Sequence, residues 1–366
     1  MNNFFINHLK SLDWKLILSA FFLSLIGLAL VYSISFGRGN PADFYKQIAF
    51  LAVGFAMMLA LSFFDWKGFR DNSYFILVLY LFCLVLLAGL FFFAPYTRGI
   101  RGWYRIGGFL SFDPVGFSVI IVNILLAKFF SRRHVEMYKL RHIVLSGIYV
   151  ALPFALIAGQ PNLGSALILS AVWLGVLVVS GIKLKHFFIL ILIGLVIFSL
   201  GWIFFLKDYQ KDRITGFLNP EKEVLGSNWS QTQSKIAIGS GGVWGKGFQK
   251  GSQTQNGFLS EPSTDFIISV LGEEFGIAGI LATFLIFIYF IWRIIATALS
   301  AESNFPRLFS LGLAVFIFFQ AFINIGMNLG VLPVIGLPMP LISYGGSNLL
   351  AIFAGLGILQ SIRTNK

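Results

Sequence analysis

The chain has 366 residues, of which 57% are hydrophobic and only 11% charged, and 42 are phenylalanine. That is more apolar surface than a soluble fold of this length can hide, so lipid must solvate most of it. The formal net charge of +12 falls in short clusters between apolar runs, the pattern of loops at a membrane surface and not of a nucleic-acid partner.

Cys83, the one cysteine, lies inside an apolar run, which excludes a disulfide and a cysteine metal site. The apolar stretch near the N-terminus is too long for the core of a cleavable signal and reads as a first span.

Uncharged runs bounded by charges predict an all-α polytopic membrane protein of ten helices, one domain over residues 1–366. The first three spans are expected at about 16–36, 47–64 and 73–93. The fourth, 114–130, is the weakest, with Lys128 placed to snorkel near its end. Residues 143–182 carry no formal charge, and "GQPNLG" at their middle predicts a hairpin of spans 143–159 and 164–182. The seventh is 187–206, the eighth 265–292, and "GVLPVIGLPMP" divides the last uncharged run into 308–330 and 343–362.

Ten spans put both termini on one side. The short loops there hold Lys67 and Arg70, then "SRRHVEMYKLRH", then Lys183 and Lys185, then Arg307. The positive-inside rule makes that side cytoplasmic. The long segment 207–264 between spans seven and eight is therefore a large extracytoplasmic loop, and its Trp, Phe and Ile argue against simple disorder.

Five stretches carry candidate chemistry. "TRGIRGWYRIGGFLSFDP", residues 97–114, sets Arg98, Arg101 and Arg105 on the outer face, against the positive-inside trend. Guanidiniums of this kind engage a phosphate or pyrophosphate through a planar fork of donors. Anchoring to lipid headgroups, with Trp103 and Tyr104 at the interface, is the competing reading. "GQPNLGSA", residues 159–166, is a hairpin turn whose Gln160 and Asn162 would otherwise offer neutral hydrogen bonds to an outward cavity.

"AIGSGGVWGKGFQKGSQTQNGF", residues 237–258, lacks the pattern of a nucleotide phosphate loop, because Ser240 and Gly247 stand where it needs glycine and Ser or Thr. Its glycines still permit close backbone approach to a ligand, and Lys246 and Lys250 supply positive charge.

"EPSTDFIISVLGEEFG", residues 261–276, holds four of the chain's 15 acids. Asp265 stands where the outer loop meets an apolar run. It is either a first-turn acid suited to the helix dipole or an ionisable group facing a cavity. A carboxylate tuned by partial burial and nearby cations can take a proton from a sugar hydroxyl, worth about 10²–10⁴-fold in rate. Glu261 lies in the loop, and Glu273 and Glu274 follow about two turns into the helix, where packing or hydrogen bonding is the default. Finally, Pro338, Pro340, Gly345 and Gly346 in "GLPMPLISYGGSNLLA" make irregular backbone at membrane depth, tolerated only where it is buried or lines a cavity. Ser343, Tyr344 and Ser347 there would satisfy freed backbone groups or touch a substrate.

Along essentially its whole length the sequence resembles the SEDS (shape, elongation, division and sporulation) proteins, and the RodA branch in particular. The resemblance is strongest over residues 208–267 and in "GVLPVIGLPMPLISYGGSNLLA", and the "GKGF" and "GSQTQNGFL" wording resembles RodA more than the division paralogue. It implies a peptidoglycan glycosyltransferase of cell elongation and rod shape in the bacterial cytoplasmic membrane. Such an enzyme polymerises lipid II with inversion to a β-1,4 linkage and releases undecaprenyl pyrophosphate. It works with a class B penicillin-binding protein and other membrane proteins of the elongation complex.

The resemblance makes Asp265 the candidate general base and matches Arg101 and Trp103 to a family segment; with Arg98, Arg105, Lys246, Glu261, Ser343 and Tyr344, taken from the stretches above, these are the expected substrate contacts. It also implies a divalent cation, Mg2+ or Mn2+, although no metal cluster is self-evident, and no organic cofactor. The chain departs from the family pattern at three places: Gly102 replaces the second Arg of an "RRW" segment, Gly116 a Glu, and Asn162 an Asp. Two other functions fit a ten-span protein: a lipid II transporter, and a non-catalytic scaffold for the penicillin-binding protein.

Overall fold

The computed structural model describes residues 2–96, 101–107, 110–132, 140–219 and 228–365. The N-terminal helix α1 (Asn2–Ser11) leads into α2 (Trp14–Gly37), α3 (Ala42–Ser62), the short α4 (Lys67–Asp71) and α5 (Ser73–Phe93). A two-stranded hairpin follows, β1 (Tyr104–Ile106) antiparallel to β2 (Leu110–Phe112), with Arg105 opposite Ser111. Then come α6 (Val115–Ser131), α7 (Leu140–Gly159), α8 (Leu163–Val179) and α9 (Leu184–Phe204). Among the described residues, α2, α3, α5, α7, α9, α13 (Ile267–Leu299) and α14 (Asn304–Leu329) are long and apolar enough to cross a membrane. Helices α6 and α8 are shorter apolar helices.

Polar residues start several of these helices. Asp13 Oδ1 accepts from the Leu16 amide at 3.2 Å, and Asn72 Oδ1 from the Phe75 amide at 3.0 Å, as side-chain caps do for otherwise orphaned amides. The other oxygen of Asp13 lies 2.5 Å from Arg293 and 3.1 Å from Arg363. One buried carboxylate thus ties the start of α2 to the end regions of α13 and of α15 (Gly346–Thr364).

The last helix is the centre of the bundle. Every residue from Ala351 to Ile362 is buried, and α15 packs on α3, α6, α13 and α14. Helix α9 is the opposite case: none of its residues is buried, and most of its apolar side chains are exposed although Leu190 packs on the core, as a lipid-facing helix requires.

Segment 207–264, expected as a large loop, holds α10 (Asp208–Leu218), α11 (Trp229–Ser240) and α12 (Ser252–Gln255). Helix α11 packs against α13 and α14, with Gln231, Gln233, Ser234 and Ala237 buried. The eighth span is also not one continuous helix. Gly276 (φ 67°, ψ −166°) breaks α13, in a conformation that only glycine adopts readily. The amides of Ile277 and Ala278 turn there to the carbonyls of Gly242 and Val243, each at 3.0 Å. The first nine residues of α13 therefore belong to the layer packed with α11 and α12, and the apolar run after Gly276 continues the helix.

Lys128, near the end of α6, is only 8% exposed, covered by protein where an extended side chain was expected.

Candidate functional site

The site is built around the turn that precedes α13. The amides of Thr264, Asp265 and Phe266 all converge on the carbonyl of Glu261, at 3.3, 3.1 and 3.3 Å. Glu261 takes a left-handed φ of 51° to allow this. Pro262 and Phe266 are buried, whereas Asp265 is half-buried. The turn is rooted in protein while the carboxylate-bearing residue reaches the surface.

Two asparagines fix its direction. Asn324 and Asn328, both fully buried, donate to the Asp265 carbonyl at 3.0 and 2.9 Å. Asn324 also donates to the Leu337 carbonyl at 2.7 Å. Asn328 Oδ1 accepts from the Ser269 amide and hydroxyl at 3.1 and 2.6 Å, and the Asn328 carbonyl accepts from Ser234 of α11. Such a satisfied buried network specifies one geometry, because each unpaired group would carry a desolvation cost.

The loop between α14 and α15 closes the other side. Gly336 (φ 78°) sits against the carboxylate, so a Cβ at this position would lie 3.4 Å from Asp265 Oδ2. Ser343 Oγ donates to the Thr264 carbonyl at 2.5 Å and accepts from the Met339 amide at 2.9 Å. The Tyr344 amide donates to the Ser263 carbonyl at 2.8 Å, and the Tyr344 phenol interacts with Asp43. Ser343 therefore positions the Asp265 turn, and its hydroxyl is already engaged by protein.

Segment 343–347 also carries the arginine-bearing hairpin. Ser347 Oγ accepts from the Asp113 amide at 2.9 Å and donates to the Ser111 carbonyl at 3.3 Å. Tyr104 fixes the hairpin to α5 through the Leu86 carbonyl at 2.6 Å. Asp113 Oδ1 accepts from the Val115 amide. Although part of the residue reaches the surface, packing around its carboxyl pushes the pKa up to about 6, against the lowering effect of that amide. Arg101 and Arg105 are exposed and Trp103 is half-buried. Arg101 donates to the Phe91 carbonyl at 2.5 Å. Arg98 lies outside the described residues. The hairpin and the Asp265 turn thus hang on one five-residue segment.

Lys246 is used differently from a free cation. Its ammonium lies 3.0 Å from Glu273 Oε1 and 2.9 Å from Ser252. Glu273, with its side chain fully buried, also accepts from the amides of Gln253 and Thr254 and from the Thr254 hydroxyl. This carboxylate folds the glycine-rich segment onto α13. Glu274 accepts from the Ser33 hydroxyl and joins α13 to α2. Arg38 brings its guanidinium to the carbonyls of Thr254 and Leu259 and interacts with Glu261.

Residue-by-residue reading of the sequence missed several groups. Lys235 of α11 runs alongside Gly330, where a Cβ would be 3.6 Å from its ammonium. Arg213 of α10 donates to the Val334 carbonyl at 3.4 Å. Both cations border the same α14–α15 loop that touches Asp265. The signal available for Asn324 and Asn328 was their spacing: two amides four residues apart share one face of an otherwise apolar helix.

The sequence pattern of the cell cycle protein family FtsW/RodA/SpoVE matches residues 13–366. The chain belongs to this family. It is 35% identical over 321 residues to the peptidoglycan glycosyltransferase MrdB of Escherichia coli, covering 88% of this chain and 85% of that protein. Its fold is similar to a chain in a peptidoglycan synthase complex in which polymerisation and crosslinking are coordinated. The TM-score there is 0.82 at 27% identity, covering 97% and 98% of the two chains. The rod shape determining protein RodA of Thermus thermophilus matches with a TM-score of 0.70 at 26% identity, over 96% of each chain.

Within this FtsW/RodA/SpoVE fold, the departures from the family pattern have visible surroundings. A Cβ at Gly116 would meet the Cβ of Ala351 at 2.9 Å, so the central helix occupies the space a side chain would need. Asn162 caps α8 through the Ser165 amide at 3.3 Å, a role the neutral amide fills.

Proposed function

We propose that this chain is a peptidoglycan glycosyltransferase that polymerises lipid II during cell elongation and rod-shape maintenance. The observation that carries the reading is the half-buried Asp265, held by two buried asparagines on one side and faced by glycine on the other. A carboxylate fixed through its own backbone is pre-positioned, which is what a general base requires.

Asp265 takes the proton from the 4-hydroxyl of the acceptor sugar. The freed oxygen attacks the anomeric carbon of the donor, whose bond to the pyrophosphate oxygen breaks. The product is an inverted β-1,4 linkage with undecaprenyl pyrophosphate as leaving group. Arg98, Arg101 and Arg105, with Lys235 and Arg213, supply cations for the pyrophosphate. Trp103, Tyr344 and Glu261 border the sugar path. Lys246 and Ser343 act on substrate indirectly, through the glycine-rich segment and the Asp265 turn.

Among the described residues no group of three or more His, Cys, Asp or Glu stands together as a metal site, and the space beside Gly116 is filled. The described donors form no built cation cage. A Mg2+ or Mn2+ ion would enter with the pyrophosphate, and no step here runs through it.

The proposed topology has ten spans, cytoplasmic termini and the Asp265 turn on the outer face. In support, the starts of α2 and α14 share one end of the bundle with the ends of α13 and α15, and Asp265 lies at the other. The proposed partners are a class B penicillin-binding protein and other membrane proteins of the elongation complex.

The test is purified protein with its class B partner and lipid II, resolved on a gel. Glycan strands support the reading; lipid II translocation in vesicles without any polymer would support a transporter instead.

A further inference from the structure

The break in α13 is closed by the glycine-rich segment. In an unbroken helix the amides of Ile277 and Ala278 would bond to the carbonyls of Glu273 and Glu274. Here the amides of Lys246 and Gly247 take those two carbonyls, at 2.9 and 3.0 Å, while Ile277 and Ala278 donate to the carbonyls of Gly242 and Val243. The segment is spliced into the hydrogen bonding of the helix, and all four of these groups stay paired. Two glycines make the splice possible. A Cβ on Gly245 would lie 2.1 Å from the Glu274 carbonyl oxygen, and one on Gly276 would lie 2.5 Å from the Gly245 nitrogen. Water would serve the open groups of a break in an aqueous loop, whereas at membrane depth protein must do it.

Two helices measure the depth of this splice from one reference. Asp13, ahead of α2, pairs with Arg293 of α13 at 2.5 Å, and the exposed Lys10 and Lys15 flank it in sequence. At the other end, Ser33 of α2 donates its hydroxyl to Glu274. From that ion pair to that hydrogen bond, α2 and α13 each rise about 20 residues, which is about 30 Å at 1.5 Å per residue. A hydrocarbon core is also about 30 Å thick. With the Asp13–Arg293 pair at one membrane surface, Ser33, Glu274 and the splice lie at the opposite edge of the hydrocarbon.

The side chains at the splice suit that position. Trp244 is 82% exposed, and Val243 beside it is exposed as well. They top a stripe of exposed residues on α13, Ile277, Leu281, Leu285 and Ile288, whose spacing puts them on one helix face. That helix is long and apolar enough to span a membrane. In water, Val243 and Trp244 would extend an exposed apolar patch, whereas an indole is favoured at the edge of the hydrocarbon. Phe248, from the same segment, stacks on Tyr32 of α2 with ring centroids 6.0 Å apart, one residue from Ser33. The aromatic side chains of the segment thus gather at one level.

We propose that Val243 and Trp244 of the glycine-rich segment are seated in lipid, at the headgroup boundary on the Asp265 side of the membrane, with Trp244 as the anchor. The segment is then an interfacial wedge and not an aqueous loop. The proposal is independent of the glycosyltransferase reading and of which membrane face is cytoplasmic.

The test is spin labelling of the full chain, without a partner, in phospholipid nanodiscs. A nitroxide is attached at Val243→Cys, which leaves Trp244 in place. Cys83→Ala removes the native thiol, which is buried. Collisions of the label with oxygen, which concentrates in lipid, are compared with those of a water-soluble nickel chelate. Leu285→Cys on the exposed stripe is the lipid reference. The label at 243 is expected to meet oxygen more often than nickel, at a shallower depth than the label at 285. Oxidative footprinting of the unaltered chain in the same nanodiscs is the second readout and decides the matter if the cysteine variants do not fold. There Trp244 is expected to be protected from hydroxyl radicals. More collisions with nickel than with oxygen, or Trp244 oxidised as fast as in the unfolded chain, would overturn the proposal. So would low access of the label to both reagents, the result for a surface covered by a second copy of the chain.

Discussion

Asn328, in the last turn of α14, donates its side-chain amide to the main-chain carbonyl of Asp265 at 2.9 Å. The catalytic assignment depends on this contact between backbone and buried amide, because it aims the carboxylate without competing for its oxygens. Asn328→Ala should lower kcat for lipid II polymerisation by about 10- to 100-fold, the scale expected of an ångström-sized misplacement, with little change in KM. Loss of the buried partner should destabilise the protein by about 1–3 kcal/mol. Rate measurements beside thermal unfolding separate the two effects, and an unchanged kcat would remove the positioning role.

Gly336 offers a second handle on the same carboxylate. Its φ of 78° and the 3.4 Å separation between a Cβ there and Asp265 Oδ2 leave little room. Gly336→Val should cost about 1–2 kcal/mol for the left-handed backbone and lower polymerisation further by crowding the base. A variant with the stability loss alone would show that substrate does not need this space.

Glu273 and Lys246 test whether the glycine-rich segment is a binding loop or a folded support. Glu273→Ala leaves Lys246 and the amides of Gln253 and Thr254 without their shared acceptor. It should cost about 3–5 kcal/mol, the scale of breaking a buried pair on one side, and expose 246–255 to protease. Lys246→Met should cost less, because Glu273 keeps its amide donors. A Lys246→Met enzyme with normal stability and a raised KM would instead make this lysine a direct substrate contact.

Asp113 predicts a pH dependence. Its folded pKa of about 6 lies above the ordinary carboxylate value, so the folded state binds the proton more tightly than the unfolded state. Its contribution therefore favours folding at acid pH and is lost as pH rises through 6. Asp113→Asn keeps the acceptor for Val115 and removes the titration. Melting curves between pH 5 and 7.5 should show the Tm of the variant gaining on wild type as pH increases. Parallel curves would refute the shifted carboxyl.

Much of this was legible because lipid leaves few alternatives. A boundary at which a lone acid meets an apolar run, such as "STDFIISV", stands out, and long uncharged runs mark helices. What stayed hidden depended on contacts across the fold. Asn324 and Asn328 read as polar residues in an apolar helix until the Asp265 carbonyl is brought to them. The break at Gly276 was invisible because the apolar run continues past it and only residues 242–245 explain the geometry. The helices within 207–264 are short and polar, and their stability comes from α13 and α14, not from their own pattern.

The most direct test of the account is lipid II polymerisation by Asp265→Ala in complex with the class B partner, with EDTA and with added Mg2+ or Mn2+. The prediction is that wild type makes glycan strands, while the variant makes none under any of these conditions yet keeps the wild-type melting temperature and partner binding. Strand formation by Asp265→Ala at a rate near wild type would contradict the assignment of the base, and with it the central claim.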